Sequence, residues 1–116
     1  MTTHYLCASD ALPRDSARGF SLTHQGQELE IVLVDVGGDV RAYHNRCPHT
    51  GVTLNWMPDR FLDISGRYLQ CSTHMALFDR TSGLCVHGPC SGQSLGTMPL
   101  DIRPEGIYLV VEDYQG

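Results

Sequence analysis

Two short fragments constrain this chain more than anything else in it: Cys47-Pro48-His49 and Cys71-Ser72-Thr73-His74. Each couples a thiol to an imidazole on one short stretch, and residues 50–70 separate them. Four such donors on two loops form a metal site, and two arrangements are open. All four could surround one Zn²⁺ in a tetrahedral S₂N₂ site. Alternatively, two thiolates hold one iron of a [2Fe–2S] cluster and two imidazoles hold the other. A histidine only two residues after its cysteine, in a chain rich in strand signals, makes zinc the minority reading. Pro48 stiffens the first loop by fixing its own φ, and Thr50-Gly51 permits an unusual turn directly behind His49.

The flanking residues carry a family resemblance. Asn45-Arg46-Cys47-Pro48-His49-Thr50-Gly51-Val52-Thr53-Leu54 resembles the first cluster loop of Rieske-type ferredoxins. Gln70-Cys71-Ser72-Thr73-His74, followed by Leu77-Phe78-Asp79 and Thr81-Ser82-Gly83, resembles the second. Gly88-Pro89 is similar to the loop that covers the cluster in that family, and residues 37–43 to the strand turn leading into the first loop. The likeness runs from about Leu29 to Glu112.

The resemblance implies an all-β Rieske fold: an antiparallel β-sheet base with a small inserted cluster-binding subdomain, about residues 46–92, in a single domain spanning 1–116. It implies one [2Fe–2S] cluster per chain, with Cys47 and Cys71 on one iron and His49 and His74 on the other. Each loop would then give one ligand to each iron, like opposed jaws. The outer ring nitrogens would face solvent and mark the electron's exit. Two departures touch the surface near the imidazoles. Met75 stands where glycine is common, and the spacer between the motifs is a few residues longer than in the ferredoxins.

High-potential members of the family carry an extra cysteine in each loop, a serine two residues after the second histidine and a tyrosine four after it. Val52, Thr73, Ala76 and Phe78 stand at those positions here, so these hydroxyl donors and the disulfide are missing. Hydrogen bonds to cluster sulfurs tune the potential. The expectation is a value in the lower part of the Rieske span of roughly −150 to +300 mV.

Composition fits one soluble globular domain: 116 residues, 41% hydrophobic and 18% charged, are enough for one core. A net charge of −5 argues against nucleic acid, which needs a basic patch. It suits a redox partner with a basic docking face. Residues 1–16 hold no apolar run of signal-peptide type, and no stretch reaches the ~18 apolar residues of a membrane span. No membrane attachment and a cytoplasmic location are the expectations.

Cys7, Cys85 and Cys90 lie outside the motifs and read as buried or half-buried free thiols, with a Cys85–Cys90 redox pair as the sharper alternative. Residues 28–36 and 40–44, joined by Gly37-Gly38-Asp39, predict a hairpin. A second hairpin is expected from residues 100–103 and 107–112 around Pro104-Glu105-Gly106, with short strands at 68–70 and 76–79. A short helix or turn is expected within residues 8–18. His44 reads as structural, His87 as a solvated loop residue, and His4 and His24 as exposed. Trp56, Met57, Phe61 and Leu62 read as a mini-core over the cluster loops, with partner recognition as the alternative.

The sequence carries no defensible Ser–His–carboxylate set, phosphate loop or mononuclear iron triad. The expected function is a one-electron carrier between a flavoprotein reductase and a terminal oxygenase or other oxidoreductase, with no substrate site of its own. The alternative is a small subunit of a larger reductase, similar to the nitrite reductase small subunit.

Overall fold

The computed structural model describes residues 2–46, 54, 61–63, 65–71, 76–88 and 91–111. The description places ten strands: β1 (Thr2–Cys7), β2 (Ala17–His24), β3 (Gln27–Val36), β4 (Asp39–His44), β5 (Tyr68–Gln70), β6 (Leu77–Asp79), β7 (Cys85–His87), β8 (Thr97–Met98), β9 (Leu100–Arg103) and β10 (Gly106–Val111). Among the described residues there is no helix. The segment 8–18 turns and bends before entering β2, which is the turn alternative of the expectation. All-β architecture is therefore borne out.

The strands form three antiparallel sheets in the orders β1-β10-β9, β2-β3-β4-β8 and β5-β6-β7. The four-stranded sheet is the middle layer. Ile31, Val32, Leu33 and Val34 in β3 are all fully buried, and an uninterrupted apolar run of this kind marks a strand covered on both faces. Ile31, Leu33 and Ala42 pack toward the first sheet, against Cys7, Leu12, Ile107 and Leu109. Val32, Val34 and Tyr43 pack the other way, against Leu54, Phe61, Leu69, Phe78 and Cys85.

The β3–β4 turn explains the polar end of that run. Gly37 and Gly38 have φ of 62° and 101°, the two left-handed positions of a tight hairpin whose twist matches its strands. Asp35 is buried, yet its Oδ1 accepts from the N–H of Gly38 and of Asp15, each at 3.0 Å. The carboxylate thus closes the turn and fastens the loop before β2.

His24 corrects the sequence reading. It is buried rather than exposed, and its Nδ1 lies 2.9 Å from Nε2 of His4. The two imidazoles, edge to face, join β1 to β2 across two sheets. His4 turns inward because it shares its sheet face with Leu6 and with its register partner Leu109, not with exposed Tyr5.

Candidate metal centre

The third sheet and the end of β4 aim three loops from a common floor. The first leaves β4 through Asn45 and Arg46, which immediately precede Cys47. Asn45 is buried, its N–H donates to the Glu30 carbonyl (2.8 Å), and its Oδ1 accepts from the Leu54 N–H (2.8 Å). That side chain bridges nine residues and so closes the base of the segment holding Cys47 and His49. Short polar side chains of this type bind nearby backbone and stabilise loops.

The second loop is the β5–β6 connection. Cys71 follows β5 and is fully buried, and its N–H donates to the Ala76 carbonyl at 2.9 Å. This bond closes the base of residues 72–75, which include His74. Cys71 shares an apolar cluster with Leu54, Phe61, Leu69, Ala76 and Phe78. The third loop follows β7. The Cys85 N–H donates to the Gln93 carbonyl (2.8 Å), and the Gly92 N–H returns a bond to the Cys85 carbonyl (3.3 Å).

The second and third loops touch where a side chain is missing. Gly88 has φ 108°, and a Cβ there would lie 2.9 Å from Cα of Ala76. Only glycine permits both that backbone and that approach. Farther down, the Tyr43 hydroxyl donates to the Arg80 carbonyl at 2.8 Å, tying the middle sheet to the turn between β6 and β7.

Of the predicted ligands, Cys71 is thus placed at the floor of the site. Cys47, His49 and His74 lie outside the described residues, as do Val52, Trp56, Met57, Thr73, Met75, Pro89, Cys90 and Glu112. Phe61 is buried and Leu62 packs on the same cluster, which agrees with the mini-core reading for that pair. Cys7 and Cys85 are buried, as expected, and the Cys85 thiol donates to the His87 carbonyl at 3.3 Å. Burial holds the Cys7 thiol above its ordinary range, against the opposing pull of Arg18. His87 is exposed. The sequence reading missed Asn45 as a clasp, although an asparagine just ahead of a proline-stiffened turn is a recognisable loop signal.

His44 is half-buried and lines a groove of about 400 Å³ together with Glu28, Glu30 and Arg46. Its N–H donates to the Gly96 carbonyl at 2.7 Å. Burial, and then the nearby Arg46 charge, hold its pKa below the usual histidine value.

The described residues form a floor from which two closed loop bases rise. The donor chemistry fits a sulfur- and imidazole-ligated cluster: the sequence puts two thiols and two imidazoles in or beside segments whose ends are each closed by one hydrogen bond, and the one described donor, Cys71, sits among buried apolar side chains. The Rieske [2Fe-2S] domain model matches residues 2–111, and the chain belongs to that family. The cofactor of this family is a [2Fe–2S] cluster. The match begins well before the likeness legible in the sequence, and takes in β1 and β2.

No curated protein sequence matches the chain. Among solved structures, one similar chain comes from a complex of reduced oxygenase and oxidised ferredoxin in carbazole 1,9a-dioxygenase: 20% identity, 98% of this chain and 97% of that one, TM-score 0.73. The ferredoxin of carbazole 1,9a-dioxygenase from Nocardioides aromaticivorans IC177 is 19% identical over 97% of this chain and 100% of its own, with TM-score 0.71. The terminal oxygenase of carbazole 1,9a-dioxygenase from Novosphingobium sp. KA1 is 25% identical over 97% of this chain but only 30% of its own, with TM-score 0.74. Among the described residues, no helix is long and apolar enough to cross a membrane.

Proposed function

We propose that the protein carries single electrons from a flavoprotein reductase to a terminal oxygenase or a related oxidoreductase, without a substrate site of its own. Cys47 and Cys71 are the thiolate ligands, and His49 and His74 the imidazole ligands, of its [2Fe–2S] cluster. The observation that carries this reading is the likeness to a dioxygenase ferredoxin over that protein's entire length. Membership of the Rieske family supports the ligand set.

The bound cluster supplies a one-electron couple whose potential depends on ligands, hydrogen bonds and burial. The chain's own residues do the rest. Asn45 and the Cys71–Ala76 bond hold the ends of the ligand loops and so shorten the chain that must be ordered when the cluster binds. Leu54, Phe61 and Phe78 keep water from the floor beneath them. The acidic surface favours encounter with a basic partner face. The protein forms one domain, its cluster-binding part running from about residue 46 to 92, and it works in the cytoplasm.

Protein purified anaerobically should be red-brown and hold iron and acid-labile sulfide in equal amounts. Cys71→Ser or His74→Ala should each abolish that. Stopped-flow mixing of the reduced protein with a terminal oxygenase should reoxidise it within its turnover time. A colourless zinc-loaded protein overturns the ligand assignment. A protein that elutes only with a second chain overturns the shuttle reading in favour of a reductase subunit.

A further inference from the structure

Arg41 is left over by everything described so far. It lies in β4 on the face turned toward β5–β7, opposite fully buried Val34 and two residues before Tyr43. Its Nε is buried with no hydrogen-bond partner. Arg80 and Arg103 reach the carboxylates of Asp15 and Asp101, whereas Arg41 reaches none among the described residues. A desolvated guanidinium N–H of this kind is normally answered by an acceptor from outside the chain when the fold supplies none.

The fold supplies space for one. Arg41 lines a cavity of about 290 Å³ where β4, β8 and β9 meet the turn after β6. Thr81 and Thr97, both exposed, line it too and bring hydroxyl-bearing side chains to its rim. Met98, Leu100 and Ile102 form an apolar side, and Ile102 is 56% exposed there despite its size. The nearby Asp79 carboxylate is engaged by backbone, its Oδ1 accepting from the N–H groups of Thr81 (2.7 Å) and Ser82 (3.1 Å). One fixed cation, two neutral donors and an apolar wall match a monoanion with an apolar body. A polyanion would meet one positive charge on a chain of net charge −5, which disfavours phosphate esters.

We propose that this cavity binds a small organic carboxylate, its oxygens on the Arg41 guanidinium and the Thr81 and Thr97 hydroxyls, its body against Met98, Leu100 and Ile102. Arginine is suited to this because its planar fork matches a carboxylate in two-point contact. The carboxylate belongs either to a free acid or to a side chain of a docking protein. None of the described lining residues belongs to a ligand motif, so this inference is independent of the electron-carrier reading.

The test uses the cluster-loaded, oxidised protein and follows its arginine Nε–H resonances by NMR. The probes are benzoate, its neutral isostere benzamide, inorganic phosphate and N-acetylglutamate methylamide. Benzoate should shift the Arg41 signal saturably, and Arg41→Gln should weaken binding by roughly tenfold or more, the loss of a charged hydrogen-bond donor. Thr97→Val should weaken it less, with iron content unchanged in both variants. Response to benzoate assigns the site to free acids, and response to the glutamate derivative alone assigns it to a protein side chain. Equal binding of benzamide, a preference for phosphate, or equal shifts at all arginines overturns the proposal. So does a flat titration with both carboxylates.

Discussion

Asn45 does with one side chain what a strand would need several residues to do. Its buried Oδ1 holds the Leu54 N–H, and the whole first ligand segment hangs between those two points. Asn45→Ala leaves a buried N–H unanswered and should cost about 1–3 kcal/mol. Its direct signature is a lower iron content per chain at unchanged strand content by circular dichroism. Asn45→Asp keeps the acceptor and should recover part of the loss. His44 makes a second prediction at this scale, one of pH. Its folded pKa lies below the unfolded value, because burial and Arg46 disfavour the cation. Between those two values the unfolded chain binds more protons, so stability rises with pH there. Stability should therefore fall as pH drops below about 6.5 and level off beneath the folded pKa. Denaturant titrations from neutral to mildly acid pH should show this slope, and His44→Gln should flatten it.

Elements show where sequence reading works and where it stops. The hairpin of β3 and β4 was legible because a doubly covered strand writes a continuous apolar run, and Gly37-Gly38 punctuates it. The hairpin of β9 and β10 was legible for another reason: Leu100-Asp101-Ile102-Arg103 alternates apolar and polar, and Pro104-Glu105-Gly106 marks the turn before an apolar run. β2 was not, since Ala17–His24 mixes Arg18, Ser21 and Thr23 with its inward Phe20 and Leu22. β8 has two residues, too few for any period to appear. His24 defied its type because its burial depends on His4, a residue twenty positions away whose neighbourhood only the register reveals. The ligand motifs were plain because chemistry fixes their spacing, but the clasps at their bases depend on backbone partners that no motif encodes.

Between elements, the contact of Gly88 with Ala76 is the tightest constraint on the covering loop. Gly88→Ala must move backbone on one side or the other and adopt a strained φ. It should cost about 1–3 kcal/mol, and the cluster should bleach faster in air. Phe78 and Ala76 set a further expectation. Both are fully buried beside Cys71 and neither carries a donor. Phe78→Tyr or Ala76→Ser supplies the hydroxyl that higher-potential relatives have, and the midpoint potential should rise. A charged hydrogen bond of about 1.5–3 kcal/mol corresponds to roughly 60–130 mV for one electron. Voltammetry of the variants beside the parent checks both the sign and the size.

At the scale of the molecule, the middle sheet carries two loads with different dependence on metal. One face packs on β1, β9 and β10 and contains no ligand segment. The other carries Cys71 and the apolar floor of the cluster. Metal-free protein should keep slow amide exchange at Ile31, Leu33 and Ala42, while Leu69, Cys71 and Cys85 lose protection. Uniform loss across both sets would mean that the two halves form only together.

The pairing of β1 with β10 carries a different implication. β1 finds its neighbour only when β10 has left the ribosome, so the roughly one hundred residues between them must wait inside an open ring. A closure of such long sequence separation is slow. The nascent chain therefore has a period in which the ligand-bearing side of the middle sheet can already pack while its opposite face still waits for cover.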